Sequence, residues 1–317
     1  MGEFDLIARY FKRPVRRSPL GVGDDCALLA PAPGMQLAVS TDLLIEGRHF
    51  LSTVDPRRLG HKCLAVNLSD LAACGAKPLA FTLGLALPQA DEAWLAPFAQ
   101  GLLALADAHG CELVGGDTTR GPLAISITIF GEVPTGQALL RSCARPGDEV
   151  WVSGTLGDAR LALEVFRGTR QAPQAVFEAA RERLECPIPR VSLGLALRGV
   201  ASAAIDVSDG LVGDLGHVLA ASGVGATLWA EQVAALSVQA QALSVQDRLD
   251  FALAGGDDYE LAFTAPAAAR DAVLAAGRAS GTAVHCIGVI EAAPGLRLVD
   301  AAGQAVVRPV AAFDHFA

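Results

Sequence analysis

Residues 149–166, EVWVSGTLGDARLALEVF, carry the reading that decides the fold. The apolar run at its start reads as a strand, the glycines as a tight turn, and the remainder as a helix. Downstream, AIDVSDGLVGDLGHVLAAS (204–222) repeats the strand-to-helix pattern, and LAGGDDYELAF (253–263) follows it. Upstream, residues 57–74 show helical periodicity that Gly75 and Pro78 stop, and a strand is expected around 80–87. A second helix is expected from Asp91 to His109, with Gly110 as its stop and Pro97 weakening its first turns. CELVGGDTTRG and LAISITIFGEV read as a strand, a glycine turn and a strand. CALLA (26–30) and QLAVST (36–41) read as short strands around PAPG, and residues 2–11 as an amphipathic helix with Phe4, Ile7, Ala8 and Phe11 on one face. Strands alternating with helices give an α/β class.

At 317 residues the chain exceeds one usual core, so two α/β domains are expected. The polar, turn-rich segment VPTGQALLRSCARPGDE (133–149) marks the junction, giving domains 1–135 and 136–317. Hydrophobic residues at 52% and charged residues at 19% indicate a well-buried globular protein. The formal net charge is -9, and the only lysines are Lys12, Lys62 and Lys77. That balance argues against nucleic acid as a partner. It suits anionic ligands only where cations bridge them to the protein. The seven cysteines form no CxxC pair and no zinc-spaced cluster, and are expected to be mostly buried free thiols in a reducing compartment. MGEFDLIARYFKRP lacks the basic start and long apolar run of a signal peptide, and no segment approaches the roughly 20 apolar residues of a membrane span. A soluble, cytoplasmic chain with no membrane partner is expected.

One pattern recurs. Apolar runs end in small or hydroxylic residues followed by aspartate: GVGDDCALL (Asp24, Asp25), LAVSTDLL (Asp42), AVNLSDLA (Asp70), LVGGDTTRG (Asp117), AIDVSDGL (Asp206, Asp209) and LAGGDDYEL (Asp257, Asp258). Any one of these reads equally as a helix cap or a turn. Together they suggest carboxylates at strand ends converging on a cleft, where their repulsion would require a counterion. Asn67 and Asp70, three apart, share a helix face. Hard divalent cations take oxygen ligands, and Mg²⁺ typically binds through carboxylates together with substrate phosphates. Mg²⁺ sites with glycine turns point to nucleotide phosphate chemistry, against the alternative of unrelated structural aspartates. No GxxxxGK[ST], HRD…DFG, GxSxG or HExxH occurs, and Gly21–Gly23 and Gly223–Gly225 are weak dinucleotide signals. Metal ions and arginines are left to neutralise phosphate charge.

With these motifs in order the chain resembles the thiamine-monophosphate kinase family, of the superfamily that includes aminoimidazole ribonucleotide synthetase. The resemblance runs from GEFDLIARYF through GVGDDCALL, STDLLIEGRHF, AVNLSDLAA, GGDTTRGPL, LLRSCARPGD, AIDVSDGL and GGDDYEL to FDHF (313–316). It implies a homodimer whose N-terminal sheets pair into a dimeric barrel, followed by a C-terminal α/β domain, with ATP between the domains and several Mg²⁺ ions on its phosphates. By position, Asp25, Ser40, Thr41, Asp42, Asp70, Asp117, Asp206 and Asp209 match the family's metal ligands. Gly116, Asp117, Arg141 and Ser208 match its ATP contacts, and His49, Asp257 and Phe313 its contacts to thiamine monophosphate. Asp257 departs from the glutamate common in relatives, and an aromatic nucleotide contact of some relatives falls near Gln100.

The implied reaction converts ATP and thiamine monophosphate to ADP and thiamine diphosphate. The acceptor oxygen is already ionised, so no proton-transfer residue is expected, only alignment and charge cancellation. One rival is a superfamily member that activates another acceptor: Cys26 is the sole N-terminal thiol for a selenophosphate-synthetase chemistry, and the FDHFA ending lacks the terminal cysteine of the hydrogenase-maturation relatives. Another is a non-catalytic nucleotide- or metal-binding module, which would need fewer acids.

Overall fold

The computed structural model describes residues 3–23, 25–241 and 243–307. Asp24, Phe313 and the FDHF motif lie outside the described residues. Contacts divide the chain into two units: residues through Leu71 with Ala76–Gly136, and Ala72–Gly75 with residues from Gln137 onward.

The first unit opens with α1 (Glu3–Leu6), which continues as a wider helical turn over Ile7–Phe11. Lys12 N donates to Ile7 O, five residues back, at 2.9 Å. That widening changes the inward face: Leu6 and Phe11 are buried, whereas Ala8, expected inside, is exposed. CALLA forms no strand, only an isolated bridge between Leu20 and Leu28. Then follow β1 (Met35–Ile45), α2 (Pro56–Ala73), β2 (Lys77–Leu87), α3 (Glu92–His109), β3 (Glu112–Arg120) and β4 (Ala124–Pro134). The sheet order is β1-β4-β2-β3, with β2 and β3 parallel across the α3 crossover and the other pairs antiparallel. Asp91 caps α3 by accepting from Ala93 N at 2.9 Å, and Gly110 ends it at φ 58°. Pro97 removes one bond, to Ala93 O, and the cap holds the first turn regardless. One sheet face is core: Leu83, Leu85, Ile125, Ile127 and Ile129 are buried, and Leu71 of α2 closes onto Gly131.

The glycine pair of LVGGDTTRG makes no turn. Gly115 and Gly116 lie inside β3, where a register shift opposite Phe81 and Thr82 absorbs the extra residue. Asp42 and Asp117 accordingly stand in strand interiors, not at strand ends.

The second unit comprises β5 (Asp148–Ser153), α4 (Asp158–Phe166), α5 (Gln174–Glu185), α6 (Val191–Leu197), β6 (Ala203–Asp206), α7 (Leu211–Ser222), β7 (Gly225–Trp229), α8 (Ala230–Ala235), α9 (Val245–Ala254), β8 (Leu261–Pro266), α10 (Arg270–Ser280), β9 (Val284–Glu291) and β10 (Gly295–Val299). Its sheet order is β10-β7-β9-β5-β8-β6. Only β10 and β7 pair in parallel, so both sheets are mixed although helices and strands alternate along the chain. Val150, Val152, Ile205, Leu211, Leu215 and Leu228 share its main core. The described sheets are open, and neither closes into a barrel. Of the cysteines, Cys63 and Cys111 are buried, while Cys26, Cys74 and Cys143 are exposed, fewer buried thiols than the apolar context of the sequence suggests.

Glu260 anchors the second unit. Its fully buried carboxylate accepts from Arg183 at 2.6 Å, from both Nε and Nη2 of Arg190 at 2.6 and 2.5 Å, and from Ser153 Oγ at 2.5 Å. Removing the acid would strand two guanidinium groups in a desolvated site. Glu260→Ala is expected to cost about 3–5 kcal/mol of unfolding free energy in urea titration. A loss below about 1 kcal/mol would contradict the anchoring role.

Candidate active site

In the first unit, strand alternation sorts the STD motif. Ser40 and Asp42 point to the face covered by α2, and Ser40 Oγ donates to Asp70 Oδ2 at 2.5 Å. Thr41 stands on the opposite face, where its hydroxyl meets Thr128 Oγ1 at 2.9 Å. Asp42 and Asp70 therefore belong to one cluster: burial first, and then the neighbouring Asp70 charge, together push the Asp42 carboxyl up to about 7. Two carboxylates and a hydroxyl make a hard oxygen donor set, which fits a divalent cation that takes its remaining ligands from phosphates and water. Among the described residues no three His, Cys, Asp or Glu side chains stand together as a complete metal cage.

The other candidates of this unit are spread. β1, β4, β2 and β3 run in register so that Asp42, Ile127, Leu83 and Gly116 form one cross-strand row, and Leu43, Ser126, Gly84 and Asp117 the next. Adjacent rows face opposite sides of the sheet, so the register separates Asp117 from Asp42. Gly116 has a backbone reason of its own. Its φ is 146°, and a Cβ there would lie 1.9 Å from Leu83 O. Asp25 is exposed in the bend between Leu20 and Leu28. His49 sits in the turn after β1, and its Nδ1 accepts from Ile45 N at 3.0 Å, which leaves the ring proton on Nε2.

In the second unit two loops are laced together. Val207 N donates to Glu260 O, Tyr259 N to Val207 O and Asp257 N to Ser208 O, at 2.8, 2.9 and 2.9 Å. This brings Asp206, Ser208, Asp209 and Asp257 to one edge of the sheet, where β6 ends and β8 begins. Gly256 permits the approach, since a Cβ there would lie 2.4 Å from Ser208 O. Asp257 and Tyr259 adopt left-handed φ values of 66° and 50°, uncommon for side-chain-bearing residues and of a kind that clusters at ligand sites. Asp258 and Glu260 turn inward, and Asp258 Oδ2 accepts from Gly157 N at 2.7 Å. The structure thus separates Asp257, half-buried at the loop surface, from its structural neighbour Asp258.

Asp214 was not among the sequence candidates. Its Oδ2 accepts from Ser208 N, Asp209 N and Gly210 N at 3.0, 3.0 and 3.1 Å, which fixes the SDG loop against the first turn of α7. Burial raises its carboxyl, the three amide donors lower it and the Asp209 charge raises it, and the balance holds it up at about 6. The available signal was an acid one helical turn after SDG. Arg141 is exposed, in a turn tied to α7 because Ser222 Oγ donates to Arg141 O at 2.9 Å.

Residues 23–133 match the family described as AIR synthase related protein, N-terminal domain, and residues 145–301 its C-terminal domain. The chain is 46% identical over 322 residues to a thiamine-monophosphate kinase of Salmonella typhimurium, covering 100% of this chain and 98% of that one. The crystal structure of a thiamine-monophosphate kinase from Stenotrophomonas maltophilia superposes with a TM-score of 0.85 at 46% identity, covering 96% of each chain. A structure described as AaThiL complexed with AMPPCP and TMP superposes with a TM-score of 0.77 at 29% identity, covering 90% of this chain and 89% of that one. The chain belongs to the thiamine-monophosphate kinase family, within the AIR synthase related proteins.

Proposed function

We propose that this chain transfers the γ-phosphoryl group of ATP to thiamine monophosphate, giving thiamine diphosphate and ADP. The observation that carries the reading is similarity along the full length to thiamine-monophosphate kinases, one relative of which is described with an ATP analogue and TMP bound. The acceptor phosphate is ionised at neutral pH, so the chain's residues need to align two anions and exclude water, not move a proton. The residues proposed to hold Mg²⁺ are Asp25, Ser40, Thr41, Asp42, Asp70, Asp117, Asp206 and Asp209; when bound, the ions cancel phosphate charge. Gly116, Asp117, Arg141 and Ser208 are assigned to ATP. His49 and Asp257 are assigned to thiamine monophosphate, as is Phe313 on the sequence resemblance. Residues 1–135 are taken as the ATP, metal and dimerisation domain and 136–317 as the second domain. ADP release should occur with thiamine monophosphate and fall at least about a hundredfold with other phosphomonoesters. Chirally labelled γ-phosphorus should be inverted by a single in-line step. Equal turnover of unrelated phosphomonoesters would contradict the substrate assignment, and retention would contradict direct transfer.

The homodimer rests on the open face of the first sheet. β1 is an edge strand, and Leu37, Val39, Leu43 and Ile45 on its uncovered face are 45, 58, 52 and 42% exposed. These four share the face with Thr41, and an exposed, largely apolar face on an edge strand invites a partner, here a second copy of the same sheet. Val39→Glu is expected to shift the sedimenting species from dimer to monomer. A wild-type chain that sediments as a monomer at micromolar concentration would overturn the dimer.

A further inference from the structure

α2 carries a residue that the proposed metal set does not use. Cys63, Asn67 and Asp70 follow one another at helical spacings of four and three, so they form one stripe along α2. Ser40 Oγ donates to Asp70 at the end of that stripe, and Asp42 stands two residues on along the same face of β1, so this stripe of α2 meets the β1 face that carries Ser40 and Asp42. Asn67 is fully buried. Its Nδ2 donates to Cys63 O at 2.9 Å; a carbonyl only accepts, so the amide orientation is set and the other atom is the oxygen. That oxygen, Oδ1, is buried without any hydrogen-bond partner among the described residues.

An unsatisfied buried acceptor costs about 1–3 kcal/mol, and a leucine would fill the same space at no such cost. A back-bond to Cys63 O explains the nitrogen but not the oxygen. Asp70 lies one turn along the same face of α2 as Asn67, and Ser40 and Asp42 stand on the β1 face that Asp70 meets; an acceptor on this stripe gains nothing from carboxylates once they are ionised. It gains from a cation. We propose that Asn67 donates its amide oxygen to the divalent cation held by Asp42 and Asp70, a neutral third donor that adds affinity without adding repulsion. This rests on the metal-site reading of Asp42 and Asp70 given under the proposed function.

The test is Mn²⁺ binding to the full chain, followed by electron paramagnetic resonance with AMPPCP at saturation, alongside melting in EDTA. Asn67→Leu should weaken Mn²⁺ by about tenfold or more. In EDTA it should melt no lower than wild type, because the orphaned acceptor is gone. Asn67→Asp should bind Mn²⁺ at least as tightly as wild type, and it decides the matter if the leucine variant does not fold. Unchanged Mn²⁺ affinity in Asn67→Leu, or weakened affinity in Asn67→Asp, overturns the proposal. Asp42→Asn separates the two readings. If it weakens Mn²⁺ while Asn67→Leu does not, only the Asn67 role fails; if neither variant changes binding, the metal site fails with it.

Discussion

Asp42 lies on β1 and Asp70 on α2, and the Ser40 hydroxyl bonded to Asp70 brings the two acids onto one partly buried face. Neither can retreat. β1 is locked to β4 through eleven paired positions, and α2 is seated by Leu64, Leu68 and Leu71 in the core. The repulsion between the carboxylates is therefore built into the packing, and it is relieved by a proton or by a cation. Much of the first unit follows from holding that pair in place, including the unusual persistence of an aspartate within a strand interior.

The second unit solves a different problem, fixing polar loops at a sheet edge without a repeating ladder. Backbone bonds from Val207, Asp257 and Tyr259 join the DVSDG and GGDDYE loops, and Asp214 collects three amide protons beneath them. Glu260 then ties the base of that loop to Arg183, Arg190 and Ser153. Acids pointing inward hold the backbone, while Asp257 and Asp209 remain half-buried at its surface. Preorganisation of this kind suits phosphoryl transfer, where placement of charge is most of the catalysis.

The sequence displayed the elements with strong periodicity: α2, α3, β5–α4 and β6–α7 occupy the expected segments because a long apolar period or a cap defines each. It also displayed the acidic motifs and the family they resemble. It did not display which acids share a face. Alternation in β1 divides Ser40 and Asp42 from Thr41, and cross-strand register divides Asp42 from Asp117, and both depend on pairing between distant segments. GGDTTR resembled a turn because two glycines usually mark one, whereas here Gly116 serves the close approach of β3 to Leu83 O. Asp214 and the orphaned oxygen of Asn67 were invisible for the same reason: their meaning lies in partners present or missing in space.

The claim that a divalent cation resolves the Asp42–Asp70 repulsion has a direct thermodynamic signature. Folded Asp42 titrates near 7 instead of near 3.8, so the metal-free fold binds an extra proton between those values and loses stability as pH rises through them. A cation requires the ionised carboxylate, so below pH 7 it must displace that proton. Calorimetric titration of the full chain with Mn²⁺ at pH 6, in two buffers of different ionisation enthalpy, measures the protons released. The account predicts release approaching one proton, fading as pH rises above 7 and absent in Asp42→Asn. Mn²⁺ binding with no proton release at pH 6, or release unchanged in Asp42→Asn, would contradict it.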